Sequence, residues 1–533
     1  MRPTLRIQGE ILSMHTTGRI LCASLLLFPL SLHISLAQEK EPKPPEKSTE
    51  KAPETPPAKE ESSVTDHSIK IAGQTIAYKA TAGSILLKNE KDEDQALIYY
   101  TAYTRSDVKD VSLRPISFLY NGGPGSSSIW LHMGSFGPKR VVTVNAEVTP
   151  PAPYRLEDNP DCLLDRSDLV FIDPVGTGFS KAVGKAQDKD FWGIDQDAHA
   201  LAKFVQSYVT RNNRWNSPKF LIGESYGTFR NAVLGNLLQS ANGIYLNGIV
   251  MISSVFDLGT LTFPLGDDLP YVLYLPSYAA TAWYHKVLKD RPDNLESFID
   301  QARTFAKTEY ADALLKGDRL SFSEKAAIAK KLAAFTGLGE DYILKSNLRV
   351  KLGAFRQELQ RSRGLTVGRL DARFSGPTYD LIAASASYDP QSTAITGAFV
   401  AAFNSYLHDE LKFGHEREYH VFANFGENRW DWKHESGPGG FSPGTPNVMR
   451  DLADALIVNP KLQVQLEDGY YDLATPFFEA EYATDHLGLP ESLQKNIQHK
   501  YYAAGHMMYL RPEDLATLKS NVAAFIDANS KPM

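Results

Sequence analysis

The chain has 533 residues, 43% of them hydrophobic and 11% aromatic, so it can bury a large core in one domain with insertions or in two domains. Its formal net charge is −7 and no basic stripe is visible, which argues against nucleic acid as a partner. Of the two cysteines, Cys22 lies in an N-terminal apolar run, which leaves Cys162 alone in the rest of the chain. The fold therefore needs no disulfide framework, and Cys162 is interpreted as a small buried residue in preference to a reactive thiol.

The N-terminal segment has the three parts of a secretory signal. Several arginines precede an apolar run that begins at Ile20 and closes on Ser35-Leu36-Ala37. We predict a signal peptide over residues 1–37, a mature chain that starts near Gln38, and a periplasmic or secreted protein without stable membrane insertion. A retained membrane anchor and a true start at Met14 are the alternatives.

The composition changes several times along the chain. Residues 38–66 are rich in Lys, Glu, Pro and Ser and predict a disordered linker. Residues 67–260 begin with alternating strand patterns and continue with apolar strands and helices, which is typical of a mainly parallel sheet covered on both faces. Residues 261–441 predict a mostly helical cap insertion, and residues 442–533 predict the second part of the sheet domain.

One stretch combines a strand, a sharp turn and a helix around a serine. An apolar run ends in Gly223-Glu224-Ser225-Tyr226-Gly227, and a helical segment follows. This is the context of a nucleophile elbow, in which side chains at the two glycines would collide. An ordinary turn serine is the alternative, because the pentapeptide alone is a weak signal.

A glycine-rich turn follows another buried strand. Residues 121–128 read Asn-Gly-Gly-Pro-Gly-Ser-Ser-Ser, and such a turn frees backbone N–H groups to bind an anion. Beside a nucleophile, these groups would form an oxyanion hole. A Walker-type phosphate loop is excluded, because no Gly-Lys-Ser/Thr follows.

Serine attack also needs a base and a carboxylate that orients it. After Ser225 the chain offers Asp472, on a turn after a strand, and His506, in a Gly-His turn. The order Ser, Asp, His is that of the α/β-hydrolase fold. Asp468 competes with Asp472. His486 and His499 also follow Asp472, and their sequence context indicates solvated helix or loop positions.

Four motifs in this order resemble those of the serine carboxypeptidases. They are Asn121-Gly122-Gly123-Pro124-Gly125, Gly223-Glu224-Ser225-Tyr226-Gly227, Gly469-x-x-Asp472 and Gly505-His506-Met507. The resemblance implies an α/β-hydrolase fold with a mixed, mostly parallel central sheet and a mostly helical cap. It covers the two core segments and leaves the cap without motifs.

The resemblance also implies roles for individual residues. Ser225 would be the nucleophile with Asp472 and His506 as its partners. The backbone N–H groups of Gly123 and Tyr226 would form the oxyanion hole. The side chains of Asn121 and Glu224 would bind the terminal carboxylate of a peptide substrate, which must therefore have a free C-terminus.

A glutamate can hold a carboxylate only if one of the two is protonated, which favours activity at acid pH. No metal ion or cofactor is expected.

The chain departs from the usual family pattern at several places. Ser135 stands where a glutamate usually precedes Gly-Pro, so the carboxyl network at the recognition site is smaller. Leu119 replaces the usual tryptophan, Ser126 stands at a usual cysteine, and the residue common between Asp173 and Pro174 is missing.

Other activities remain open from the sequence. The alternatives are an aminopeptidase of the proline iminopeptidase kind, an esterase or acyltransferase on the same scaffold, and a catalytically silent exported binding protein. Trp430-Asp431-Trp432, near the end of the cap, is either a substrate platform or a cluster packed against a neighbouring layer.

Overall fold

A computed structural model of the chain describes residues 58–427, 429–435 and 445–531, which belong to one compact unit. The predicted signal peptide, the linker up to residue 57 and the cap boundary at residue 441 lie outside these residues. None of the described helices is long and apolar enough to cross a membrane.

The strands are β1 Ser62–Ile71, β2 Gln74–Lys88, β3 Asp94–Arg105, β4 Ile116–Tyr120, β5 Lys139–Val141, β6 Leu156–Asp158, β7 Asp168–Ile172, β8 Lys181–Ala182, β9 Lys219–Glu224, β10 Gly248–Ile252, β11 Leu365–Val367, β12 Ser375–Pro377, β13 Gln463–Gly469 and β14 Ile497–Tyr502. The α-helices are α1 Ile129–Leu131, α2 Ile194–Arg211, α3 Tyr226–Ser240, α4 Leu269–Tyr284, α5 Leu295–Phe305, α6 Ala311–Lys316, α7 Phe322–Thr336, α8 Glu340–Lys345, α9 Leu352–Glu358, α10 Pro390–Asp409, α11 Met449–Val458, α12 Phe477–Asp485, α13 Glu491–Gln494 and α14 Pro512–Asn529. Two π-helical turns, His132–Phe136 and Ala306–Tyr310, continue α1 and α5.

The central sheet has the order β1-β2-β3-β7-β4-β9-β10-β13-β14, and β8 pairs with β3. The pairs from β1 to β7 are antiparallel, and those from β7 to β14 are parallel. The predicted mixed, mostly parallel sheet is therefore confirmed. Because the parallel strands share one direction, the loops after β4, β9 and β13 meet at the carboxyl edge, where ligands bind in open α/β sheets.

The sheet is covered on both faces, as continuous apolar strands require. Phe220 and Ile222 of β9 lie in the hydrophobic cluster on one face, and Leu221 lies in the cluster on the other. One cluster contains α14 and α10, and the other contains α2, α3 and α11. The buried Cys162, whose pKa burial raises to about 12, packs in the first cluster as a small apolar residue.

The segment from α4 to α9 has a hydrophobic cluster of its own, which extends to the turn after β13. Its α7 begins with the predicted capping box of Ser321 and Glu324 and ends at Gly337, which has a φ of +69°. Helix α10 also falls in the predicted cap, yet it packs into the cluster on one face of the sheet. The insertion is thus mostly helical and is anchored to two different parts of the molecule.

The predicted linker is wrong at its C-terminal end, because β1 begins at Ser62, before residue 66. The prediction rested on the lack of apolar residues in this segment. Backbone pairing stabilises it instead: Ser62 to Asp66 pair with β2, and the amide of Ser84 donates to the carbonyl of Glu61 at 2.9 Å. An edge strand with one exposed face can be polar.

Candidate active site

Ser225 lies at the turn between β9 and α3, with a φ of +60° and a ψ of −129°. This backbone region is costly for a residue with a Cβ and persists only where the surroundings enforce it. Close packing does so here. A Cβ at Gly223 would collide with the carbonyl of Gly227, and one at Gly227 would lie 2.9 Å from the carbonyl oxygen of Tyr120. Both glycines are therefore required, and Ser225 stands at the carboxyl edge of the sheet.

His506 and Asp472 form a buried pair on the two loops after β14 and β13. His506 Nδ1 lies 2.6 Å from Asp472 Oδ2, and Thr475 Oγ1 donates to the same oxygen at 2.8 Å. Burial alone would lower the pKa of His506, but the charge and hydrogen bond of Asp472, together with the charge of Glu224, raise it above 6.5. The pair therefore stabilises the imidazolium that a general base becomes after it accepts a proton.

The backbone of His506 is held from two sides. Its N–H donates to the carbonyl of Leu370 at 2.7 Å, and its carbonyl accepts from Ser253 Oγ at 2.6 Å. Leu370 belongs to the helical insertion, and Ser253 follows β10. The insertion thus helps to position the predicted base.

The competing residues lie elsewhere. Asp468 is buried, and it accepts a hydrogen bond from the amide of Ser254 at 2.8 Å. His486 is exposed just after α12. The solvated position predicted for His499 is wrong: the residue lies on β14, its Nε2 is 3.2 Å from Thr484 Oγ1, and burial lowers its pKa. Among the described residues, none of the three forms a hydrogen bond with Asp472 or Ser225.

The glycine-rich turn packs directly on the elbow. A Cβ at Gly122 would collide with the backbone nitrogen of Tyr226, and Gly123 has a φ of +108°, which favours glycine. Tyr226 opens α3, where the N–H groups of the first turn have no partner within the helix. The backbone hydrogen bonds of the described residues give neither Gly123 nor Tyr226 an acceptor. Both N–H groups are thus available to a ligand, as an oxyanion hole needs.

Asn121 and Glu224 are buried next to these groups. Asn121 Oδ1 accepts from the amide of Leu131 at 2.9 Å, so its NH₂ group is the donor of this side chain, and its hydrogen bond to Glu224 opposes the rise in the pKa of that residue. Tyr509 donates its hydroxyl to Glu224 Oε2 at 2.8 Å. Burial raises the pKa of Glu224 to about 7, although the nearby His506 opposes the rise. Glu224 is therefore largely protonated in mildly acid solution, where it can donate to a carboxylate.

The departures from the family pattern have structural counterparts. Ser135 is buried in the π-helical turn, and its hydroxyl donates to the carbonyl of Leu131 at 2.7 Å, so no second carboxyl stands there. Ser126 accepts from Trp130 Nε1 at 3.0 Å, and both residues line the cavity in front of Ser225.

This active-site cavity has a volume of about 430 Å³. Ser225, His506, Asn121, Gly123 and Glu224 line it, and Asp472 stands behind His506. No hydrogen bond between Ser225 Oγ and His506 is present among the described residues. Such contacts are often long in structures without substrate. The structure therefore brings the predicted site residues to one place.

The helical insertion supplies part of the cavity wall, which the sequence patterns did not reveal. Its contribution consists of Arg369, Leu370, Ser392, Ile395, Thr396 and Phe422. The only local signal nearby was Asp389-Pro390, a capping residue followed by proline, which indicates a helix start but not its neighbours.

The aromatic pair near the end of the insertion packs against the elbow. Trp430 is buried, with its ring centroid 5.5 Å from that of Tyr226. Trp432 is partly exposed but does not line the active-site cavity. The structure favours packing over a substrate platform.

A larger cavity, of about 580 Å³, contains none of the predicted site residues. His434 lines it and lies 2.6 Å from Asp195 and 2.9 Å from Asp451. Burial opposes the charge of His434, but these two hydrogen bonds raise its pKa to about 9. We interpret this group as a structural link between α2 and α11, since it offers no nucleophile.

Known proteins resemble the chain in sequence. The sequence model of the family described as "Serine carboxypeptidase" matches residues 72–310. "Serine carboxypeptidase-like 51" of Arabidopsis thaliana is 30% identical over 165 residues, which are 30% of this chain and 33% of that protein. "Pheromone-processing carboxypeptidase KEX1" of Saccharomyces cerevisiae is 30% identical over 171 residues, 29% of this chain and 22% of that protein. The chain thus spans a third or less of these curated relatives.

A solved structure supports the fold over a longer range. The prohormone-processing carboxypeptidase KEX1 from Saccharomyces cerevisiae superposes with a TM-score of 0.52 at 17% identity, covering 85% of this chain and 92% of that one. At this identity the likeness shows the α/β-hydrolase fold alone. The family match contains the glycine-rich turn and the elbow, so both motifs lie in the part of the chain that is similar to the serine carboxypeptidases.

Proposed function

We propose that this protein is an exported serine carboxypeptidase that hydrolyses the last peptide bond of peptides through an acyl-enzyme intermediate. The observation that carries the proposal is the placement of Ser225, at a strained elbow, in one cavity with His506, whose Nδ1 lies 2.6 Å from Asp472. Peptides with a free C-terminus are the substrates. The reaction as proposed requires no cofactor or metal ion.

In the proposed reaction, Ser225 Oγ attacks the carbonyl carbon of the last peptide bond while His506 accepts its proton. Asp472 orients the imidazole and stabilises its positive charge. The N–H groups of Gly123 and Tyr226 bind the negative oxygen of the tetrahedral intermediate. When the C–N bond breaks, His506 protonates the leaving amine. A water molecule then repeats the attack on the acyl-enzyme and releases the shortened peptide.

The direction of cleavage rests on Asn121 and Glu224. The NH₂ group of Asn121 and the protonated carboxyl of Glu224 can both donate to the terminal carboxylate of a peptide. Glu224 immediately precedes Ser225, so a carboxylate bound there leaves only the last peptide bond within reach of the nucleophile.

One peptide in three forms tests this direction: free, N-acetylated and C-terminally amidated, each followed by mass spectrometry. We expect stepwise loss of C-terminal residues from the first two forms and little cleavage of the third. Release of N-terminal residues would favour the aminopeptidase alternative. Equal cleavage of the amidated form would contradict the role of Asn121 and Glu224. Activity on a simple ester without activity on the peptides would favour the esterase alternative. Failure of a fluorophosphonate to label the protein would favour the catalytically silent alternative.

Export is the second part of the proposal, and it rests on the N-terminal sequence pattern. We expect the mature protein to start at or near Gln38 and to occur outside the cytoplasm. N-terminal sequencing of protein isolated from the native host, with cell fractionation, tests this. An uncleaved chain in the cytosol would contradict it.

A further inference from the structure

A short segment of the insertion is fixed against both catalytic loops. The carbonyl of Arg369 accepts from the amide of Leu473 at 3.0 Å, and that of Leu370 accepts from His506 N at 2.7 Å. On the other side, Asp389 Oδ2 accepts from the amides of Arg369 and Leu370 at 2.7 and 3.0 Å. The backbone of Arg369 is therefore held on both sides, next to the predicted base and the residue after Asp472.

The side chain of Arg369 is not used by this network. It is exposed and lines the active-site cavity with Ser225 and His506. Among the described residues, no hydrogen bond or ion pair involves its guanidinium group. No ion pair joins it to Asp389, whose two oxygens accept from backbone amides at the start of α10 and from those of Arg369 and Leu370. Arginine stays charged at any ordinary pH.

The other lining groups leave this charge without a counterpart. Glu224 and His506 are the remaining titratable side chains among those that line the cavity. Glu224 is bound by Tyr509, and its pKa of about 7 keeps it largely neutral in mild acid. Ser392, also in the lining, has a side-chain hydroxyl with no partner among the described residues. A positive group and a free donor thus face space that a substrate would occupy.

We propose that Arg369 is a specificity-determining residue that binds the side-chain carboxylate of a substrate, so that the enzyme prefers an acidic residue beside the scissile bond. This inference rests on the proposed carboxypeptidase function and names its substrate class. The carboxylate comes either from the released residue or from the residue before it. The guanidinium fork matches a carboxylate, and Ser392 supplies one further donor.

The test compares N-acetylated peptides at about pH 6, where a substrate glutamate is ionised. Four peptides carry Glu or Gln either at the released position or at the position before it. We expect kcat/KM to favour Glu about 2- to 5-fold at one of the two positions, as for an ion pair with an exposed arginine, and we expect high salt to remove the preference. The position at which Glu is preferred shows whether the released residue or the residue before it contacts Arg369.

Three variants extend the test. Arg369→Met should bring the Glu/Gln ratio close to one while cleavage of the Gln peptides stays within about twofold, and Arg369→Glu should favour Lys over Glu. The matched control is Arg363→Met, because Arg363 is an exposed arginine of the insertion that does not line the cavity. It should retain the wild-type ratio.

Several outcomes would overturn the inference. If the wild-type enzyme gave Glu/Gln ratios of kcat/KM near one at both positions and released the C-terminal residue of the Gln peptides normally, the role of Arg369 would be wrong and the proposed function would stand. A Glu preference that survives in Arg369→Met would do the same. If Arg369→Met lowered kcat/KM equally for all four peptides, Arg369 would bind the terminal carboxylate of the substrate and not a side chain. If none of the peptides lost its C-terminal residue, both the proposed carboxypeptidase function and the role of Arg369 would be wrong.

Discussion

The two walls of the active-site cavity differ in burial and in charge. The wall formed by the loops after the sheet strands is buried: Glu224 is 1% exposed and His506 2%. The wall formed by the insertion is less uniform: Ile395 is buried, whereas the charged Arg369 and Phe422, at 57%, are exposed. Burial shifts the pKa values of the titratable side chains in the first wall and fixes their positions, and catalytic groups require both. Exposed side chains can select substrates but contribute less energy each.

This contrast predicts that loss of Ser225 or of the pair of Asp472 and His506 lowers kcat by orders of magnitude, whereas changes to the exposed side chains of the insertion alter substrate preference by small factors.

The strongest test of the buried wall is Ser225→Ala. Loss of the nucleophile should lower kcat about 10⁴- to 10⁶-fold and leave peptide binding and the thermal midpoint nearly unchanged. Ser240→Ala, in the last turn of α3, is the control and should retain full activity. If the purified Ser225→Ala protein kept more than about a hundredth of wild-type activity, the nucleophile would be another residue.

Asp472→Asn should lower kcat by about 10⁴-fold, because an amide favours the wrong tautomer of His506 and cannot stabilise its cation. Asp468→Asn is a matched control, since this carboxyl is equally buried on the same strand end but does not contact His506. Burial raises the pKa of Asp468 to about 7, so a neutral amide replaces a group that is already largely neutral in mild acid. Equal losses in the two variants would show that the pair with His506 is structural.

Glu224→Gln tests the pH dependence of carboxylate binding. The pKa of Glu224 is raised to about 7, so the side chain loses its proton as the pH rises through neutrality and then repels the substrate carboxylate. The wild-type KM should therefore rise about tenfold for each pH unit above this pKa. Glutamine cannot ionise, so the KM of the variant should stay flat, measured from pH 5 to pH 9 with one peptide. A wild-type KM that is flat over this range would contradict the role of Glu224.

The smallest expected effect comes from the exposed wall. Phe422→Ala removes an apolar side chain that lines the cavity, so KM for peptides with a large apolar residue at the cleavage site should rise about 3- to 10-fold at constant kcat. Ile382→Ala, in the same insertion and 92% exposed outside the cavity lining, should change nothing. A large fall in kcat for Phe422→Ala would contradict the inference that exposed side chains of the insertion affect substrate preference and not the chemical step.

Local sequence determined the parts of the site that depend on short-range geometry. Gly223 and Gly227 around Ser225 predict the elbow because only glycine fits where strand and helix backbones approach so closely. The order of Ser225, Asp472 and His506 along alternating strands and helices predicts the fold class. The capping box at Ser321 likewise predicts the start of α7 from four residues. The elbow and the helix start depend on interactions between residues that are close in the sequence, so the sequence alone can predict them.

Only the tertiary structure decided the features that depend on contacts between distant segments. The raised pKa of Glu224 follows from its burial by segments far along the chain, which outweighs the opposing hydrogen bond from Tyr509. Arg369 reaches the active-site cavity because its backbone pairs with loops that follow β13 and β14. The polar start of β1 is ordered by pairing with β2, although its composition predicted a linker. No local pattern encodes such contacts, because the energy that stabilises them belongs to the pair of segments and to the water they exclude.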